Sequence, residues 1–386
     1  MPPAFDFIAV LLLVGAAQGV LLAMALLTIP RGNRIANRIL ALLLILFAAS
    51  ITLHTLAYTR YLFKFPHLIK IAAPLPFLFG PLFYFYVKAL TRREFSFDKK
   101  DLLHFLPIVL CAASIIPFYL QSAEDKTQHL LGEFAGPSTS SVVISWLTLI
   151  HLLIYIVASA NLLRTHADKI KDSFSSLEKI NLSWLRNLLV VYALDWSAIL
   201  LWQIYSREIA AANYIWLLAS LAMYAIGYMG LRQPEIFSGA EDSMAAYEAT
   251  RKKYEKSTLN LAKAEAYLQK LLRFMADQKP YRNSDLNLQG LARTLAISPH
   301  HLSQIINERL QQNFFEFVNS HRIEEAKQML RNAALANLNI AQIGFDAGFS
   351  SVSAFNTAFK KYTGMTPSQF RREMGEAQFQ KMATNM

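Results

Sequence analysis

Apolar positions along this chain follow two different rhythms. Through the first 231 residues they come in long blocks with few polar interruptions, at 7–28, 39–58, 71–90, 102–120, 142–162, 188–205 and 214–231. A helix needs roughly 20 such residues to cross a hydrocarbon core. The blocks therefore predict a bundle of seven spanning helices. The first block is read as a span and not a cleaved leader, because no basic segment precedes it and six more blocks follow. The third is the least regular, with Pro74, Pro76 and Pro81 in or beside it.

Beyond residue 259 the apolar positions recur with a helical period. Leu288, Leu291, Ala292 and Leu295 mark one short helix, Ala296 to Ser298 a turn, and Pro299 to Arg309 a second helix with Leu302, Ile305 and Ile306 inward. Ser298 is the expected N-cap, and Pro299 suits the first helical position. The pattern returns 52 residues later. Ile340, Ile343, Gly344 and Ala347 match the first four positions, Ser350 matches Ser298, and Phe355, Ala358, Phe359 and Tyr362 point inward. Gly364 is the expected left-handed stop, and Thr366-Pro367 opens a last short helix. The predicted fold is all-α: a seven-helix transmembrane bundle followed by two tandem helix-turn-helix units.

The second helix of each unit carries a polar outer face. In the first it presents His300, His301, Ser303, Gln304 and Asn307. In the second it presents Ser351, Ser353, Asn356, Thr357, Lys360 and Lys361. Amide, hydroxyl and cationic groups on such helices can reach base edges and phosphates in a major groove. One polar face is ordinarily just solvated. Two capped units at a fixed repeat favour double-stranded DNA as the partner.

The run IAQIGFDAGFSSVSAFNTAFKKYTGMTPSQFR resembles the signature of the AraC/XylS family of bacterial transcription regulators, and SPHHLSQIINERLQQNFFEFVNSHRIEEAK resembles the first half of the same domain. The resemblance covers residues 259–373. It implies seven helices, with a linker helix from Asn313 to about Arg331 holding the two units, and RNA polymerase as a further partner if the protein activates. GPLFYFYVKALT (80–91) and LHFLP (103–107) are similar to segments of such regulators that carry multi-span amino-terminal domains.

Charge adds the orientation. The net charge is +11 and 54% of the 386 residues are hydrophobic, with a mean hydropathy of +0.27. With the amino terminus outside, the inner connections hold 13 Lys/Arg and the outer ones five, the asymmetry that orients inner-membrane proteins. Seven spans then leave the carboxyl terminus inside, where chromosomal DNA also lies. The expected location is a bacterial cytoplasmic membrane. The single cysteine, Cys111, excludes an internal disulfide and a cysteine-rich zinc site.

The expected domains are a sensor at 1–231, a joint at 232–258, the DNA-binding domain at 259–373 and a tail at 374–386. The joint holds the basic cluster Arg251, Lys252, Lys253 and Lys256, and an amphipathic helix through Leu261, Ala264, Leu268, Leu271, Leu272 and Met275 follows. Residues 121–140 read as a polar, turn-rich outer loop. Within the spans lie Gln18, His54, His104, His151, Asp195 and Gln203. Ionisable groups at that depth face a bundle interior. They either hold helices together or form a site for a small-molecule or membrane signal, with His54, His151, Asp195 and Gln203 the candidates.

No phosphate-cradling glycine loop, HExxH or GxSxG occurs. Neither an enzyme nor a cofactor or metal is therefore expected. Two readings remain. The first is a regulator whose lipid-embedded bundle controls DNA binding, with homodimer formation the simplest output. The second is a seven-span transporter or receptor whose carboxyl-terminal domain docks a protein. A docking surface would expose aromatics or leucines, and neither reading helix is expected to.

Overall fold

A computed structural model describes residues 5–29, 33–92, 95–135, 138–177, 182–205, 209–231, 260–335 and 337–374. The joint at 232–258, its basic cluster, and the tail beyond 374 lie outside the described residues. The described chain is helix and turn, with one isolated antiparallel bridge between Phe174 and Asn287. It forms two compact units, one from residues 1–165 and 182–235, the other from 166–181 and 236–386.

The first unit contains α1 (Phe7–Thr28), α2 (Arg34–Tyr58), α3 (Pro76–Thr91), α4 (Leu106–Tyr119), α5 (Ala123–Ala135), most of α6 (Thr139–Lys171), α7 (Ser183–Tyr205) and α8 (Ile209–Leu231). Asp6 caps α1 through Ala9 N at 2.8 Å, and Asn33 caps α2 through Ala36 N at 3.0 Å. The buried stripe of α1 consists largely of small residues: Ala9, Gly15, Ala16, Gly19 and Ala23 with Leu12 and Leu26. Small residues let backbones approach, which is how apolar helices gain packing where no hydrophobic drive separates them from lipid. A Cβ on Gly15 would collide with Ser220 of α8, and one on Gly19 would lie 2.6 Å from Met223.

Six helices among the described residues are long and apolar enough to cross a membrane, counting Lys99–Tyr119, in which a 3-10 turn leads into α4, as one. The expected third span differs. Its helix covers only Pro76–Thr91, 16 residues, and short turns occupy the stretch before it. Proline removes an N–H and disfavours helix in the residue before it, so Pro74 and Pro76 stop the helix growing backward. Pro81 sits inside without ending it. What α3 lacks in length it has in burial: Phe79, Phe85, Tyr86 and Leu90 are almost wholly enclosed, and Phe79 stacks on Phe47 of α2 at 4.1 Å.

The expected loop at 121–140 is also corrected, because α5 fills much of it. Ser122 Oγ accepts from Asp125 N at 3.1 Å, and Glu124 and Asp125 sit in the first turn, where carboxylates suit the helix dipole. Lys126 is buried, its ammonium bonded to Tyr119 O at 2.9 Å and His67 Nδ1 at 3.0 Å.

The second unit contains α9 (Leu261–Gln278), α10 (Leu288–Thr294), α11 (Pro299–Arg309), α12 (Phe314–Arg331), α13 (Ile340–Asp346), α14 (Val352–Thr363) and α15 (367–374). It has two apolar cores, and α12 supplies both. Phe314, Phe317 and Val318 join Leu271, Met275, Leu291 and Leu302 in the first. Ile323, Ala326 and Leu330 join Ile343, Phe355, Phe359 and Phe370 in the second. One helix thus serves as the common wall of both helix-turn-helix units. Asn313 begins it with a reciprocal capping box to Glu316.

Candidate nucleic-acid interface

The first helix-turn-helix unit has the expected cap: Ser298 Oγ accepts from His301 N at 3.1 Å, and α11 runs over the predicted residues. The second does not. Its N-cap is Ser351, whose hydroxyl accepts from Ala354 N at 3.1 Å. Phe349 and Gly348 make the turn one residue longer than in the first unit, so the 52-residue repeat slips to 53 at the second helix. Ser350 is freed for a different bond, with Ser176 at 2.7 Å. Gly364 ends α14 at φ +80°, its N–H on Lys360 O.

These placements sort the candidate residues. On α11, Asn307 is exposed and His300, His301 and Gln304 are half-buried. Ser303 is withdrawn from the outer face: it is 8% exposed and accepts from Asn307 Nδ2 at 3.4 Å. Gln304 Nε2 bonds both carboxylate oxygens of Glu308, at 3.1 and 3.2 Å. On α14, Ser353, Asn356, Thr357 and Lys360 are exposed on one stripe. Ser351 is occupied in capping. Lys361 turns toward α12 and pairs with Glu316 at 3.3 Å. Tyr362, expected inward, is 38% exposed, with its hydroxyl on Glu316 O at 3.1 Å. Val352 is equally exposed at 38%. These two exposed apolar residues depart from the expectation that the reading helices would show none.

A polar junction between the two helix-turn-helix units was not legible beforehand. Gly348, at φ +102°, lies where a Cβ would strike Tyr281 O and the Arg282 backbone. The second turn therefore sits directly on the segment that leads into the first unit. Glu325 of α12 gathers Lys279 at 2.9 Å, Tyr281 at 3.1 Å and Arg282. Burial pushes the Glu325 carboxyl up, but these three donors outweigh it and hold it below its ordinary range. Burial and the adjacent Glu325 charge push the Tyr281 phenol up to about 12. Beside them Arg322, 1% exposed, donates to Tyr281 O at 2.7 Å and Asn283 O at 2.9 Å, and faces the Phe349 ring at 5.7 Å. Burial lowers its guanidinium to about 10, so it stays charged near neutrality.

In the compact unit formed by the amino-terminal helices, three of the four candidate sensing residues line one cavity of about 1460 Å³. His54, His151 and Asp195 share its wall with Trp196 and Trp216. His54 Nε2 meets Asn213 Oδ1 at 3.0 Å and its ring stacks on Trp216. Both ring nitrogens of His151 and Asp195 Oδ1 have no hydrogen-bond partner among the described residues. Gln203 belongs to α7, but its side chain lies outside the described residues. His104 is engaged elsewhere, at 2.6 Å from Tyr155. No cluster suited to a metal ion occurs among the described residues.

A family model described as a helix-turn-helix domain matches residues 291–373. The chain is 31% identical over 114 residues to the uncharacterized transcriptional regulatory protein YesN of Bacillus subtilis (strain 168), covering 29% of this chain and 30% of that one. It is 33% identical over 91 residues to the Msm operon regulatory protein of Streptococcus mutans, covering 24% and 32%. A third relative, the transcriptional regulator GlxA of Rhizobium meliloti, is 31% identical over 90 residues, covering 23% and 27%. The chain spans about a third of the length of these curated relatives. No solved structure matches it.

Proposed function

We propose, taking as premise that the carboxyl-terminal unit is an AraC-type helix-turn-helix domain, that this chain is a membrane-embedded one-component transcription regulator. The observation that carries the reading is the union, in one chain, of six long apolar helices with two helix-turn-helix units walled by a single linker helix. The outer residues Gln304, Asn307, Ser353, Asn356, Thr357 and Lys360 read duplex DNA. His300 and His301 flank them. The relatives are named as transcriptional regulators, which supports the same role here. The two exposed apolar side chains of α14 are single, not a contiguous docking patch.

The bundle holds the chain in a bacterial cytoplasmic membrane with its amino terminus outside. In this topology α3 crosses as a seventh, short segment shielded by its neighbours, which keeps the carboxyl terminus with the DNA. The signal enters the cavity whose wall carries Asp195 and His151. Unpartnered polar groups in an apolar surround are costly, and a ligand that satisfies them in one bundle state only would shift the population toward that state. Two chains on adjacent half-sites would raise effective concentration, and RNA polymerase is the partner if the output is activation.

The test is occupancy of promoter DNA in cells, mapped for the full chain and for a chain lacking residues 1–240. Discrete sites for the full chain are expected. A transporter reading predicts none, and predicts Asp195-dependent uptake into vesicles instead.

A further inference from the structure

Residues 173–176 lie in the connection between α6 and α7, yet they belong to the second unit. Phe174 pairs with Asn287 in an isolated antiparallel bridge. Ser173 O accepts from Leu288 N at 3.0 Å, and Ser175 N donates to Leu286 O at 3.3 Å. Leu288 is the first residue of α10, whose opening N–H groups have no partner within the helix, so this segment satisfies one of them. The Ser175 hydroxyl also donates to Leu286 O, at 2.6 Å.

The same four residues reach the linker helix and the second helix-turn-helix unit. Arg322 Nη1 donates to Ser175 O and Nη2 to Ser175 Oγ, each at 3.0 Å. Ser176 Oγ meets Ser350 Oγ at 2.7 Å, at the turn before α14. Ser175 is 1% exposed. The segment is therefore a built part of the junction, bonded to the first helix-turn-helix unit, the linker helix and the second helix-turn-helix unit at once. None of these bonds touches Gln304, Asn307, Asn356 or Lys360, so the segment leaves the reading faces uncovered.

We propose that residues 173–176 form a strap by which the connection between α6 and α7 sets the spacing of the two reading helices. The strap rests on the DNA-reading role proposed above. Docked, it locks the two helix-turn-helix units around Arg322 in the arrangement that engages two successive grooves. Its ends are covalently continuous with α6, two residues upstream, and with α7 through residues 178–181. A shift of those helices therefore pulls on the strap and loosens the junction without blocking either DNA face. The strap acts by positioning and touches no base or phosphate.

The experiment uses the full chain in lipid nanodiscs and a duplex that the wild-type chain enriches from a random pool. Hydrogen exchange should show the Leu288 and Ser175 amides protected. Two variants are compared: Ser175→Ala with Ser176→Ala, and a chain with 173–176 replaced by Gly-Gly-Pro-Gly, which removes both hydroxyls and the N–H at position 175. In both, Leu288 should lose protection. Affinity for the whole duplex should fall about tenfold or more while affinity for a half-site duplex is unchanged. The whole-to-half ratio is insensitive to a misfolded fraction. Free exchange at Leu288 in the wild-type chain, or an unchanged ratio in the replaced chain, overturns the strap while DNA binding itself stands. A wild-type chain that enriches no duplex overturns the DNA-reading role, and the strap with it.

Discussion

Arg322 and Ser175 stand 147 positions apart in the chain, yet the guanidinium of one grips both the carbonyl and the hydroxyl of the other at 3.0 Å. Hydrogen bonds to a buried charge contribute about 1.5–3 kcal/mol, and removing one partner of a buried charged group costs about 3–5 kcal/mol. Ser175→Ala should therefore destabilise the second unit by about 1–3 kcal/mol, and Arg322→Met by more, because it strands the carbonyls of Tyr281 and Asn283 as well. All five tryptophans, at 146, 184, 196, 202 and 216, lie in the first unit. The loss should accordingly appear in exchange of amides 260–374 and leave tryptophan fluorescence unmoved.

Asn356→Ala should relax sequence preference by about 1–3 kcal/mol at one position, the value of one good base contact. Lys360→Ala should weaken all duplexes alike and flatten the salt dependence by about one unit of slope. Competition binding across salt concentrations separates the two. Should Lys360→Ala change preference, the division of labour on α14 is wrong.

Glu308 holds the amide of Gln304 and adds a negative charge near the face proposed to read DNA. Glu308→Ala should raise affinity for every duplex, most strongly at low salt, because it frees the amide and removes a repulsion. Unchanged binding would mean that Gln304 does not face DNA.

Ser351→Ala should cost about 1 kcal/mol as a lost N-cap, measured as faster amide exchange through the first turn of α14. Ser350→Ala should leave that turn protected and instead loosen the bond to Ser176. The opposite pattern would restore the cap position that the 52-residue repeat suggests.

The carboxyl of Glu325 is held below its ordinary range in the folded state. At acid pH the unfolded chain then takes up its proton first, so the contribution of Glu325 is present above the unfolded value and is lost as pH falls through the folded one. Glu325→Gln should flatten the acid limb of stability of the second unit, read by exchange of the Tyr281 and Asn283 amides.

Asp195 presents to the cavity a carboxylate oxygen with no hydrogen-bond partner among the described residues. Asp195→Leu should stabilise the first unit by about 1–3 kcal/mol, since an unsatisfied buried polar group is removed. It should also leave a promoter reporter unresponsive. Thermal unfolding followed by tryptophan fluorescence reads the first effect. Lower stability would show that Asp195 is bonded in the folded bundle.

Much of this protein could be read from residue order alone, and the reason is local. Apolar blocks, a 3.6 period, Ser298 before Pro299, Asn313 with Glu316, and Gly364 each act within one helical turn, so the helices of the second unit lay where periodicity and caps put them. Where a local rule met a neighbour, it failed by a residue or a span. The extra turn residue moved the cap to Ser351, two prolines cut α3 to 16 residues, and burial turned Ser303 inward. Only the tertiary structure decided the rest. It brought His54, His151 and Asp195 to one cavity from three helices, and it set Arg322, Glu325, Gly348 and Ser175 in one junction. Those contacts join positions tens to more than a hundred residues apart, and no periodicity along the chain encodes a partner at that distance.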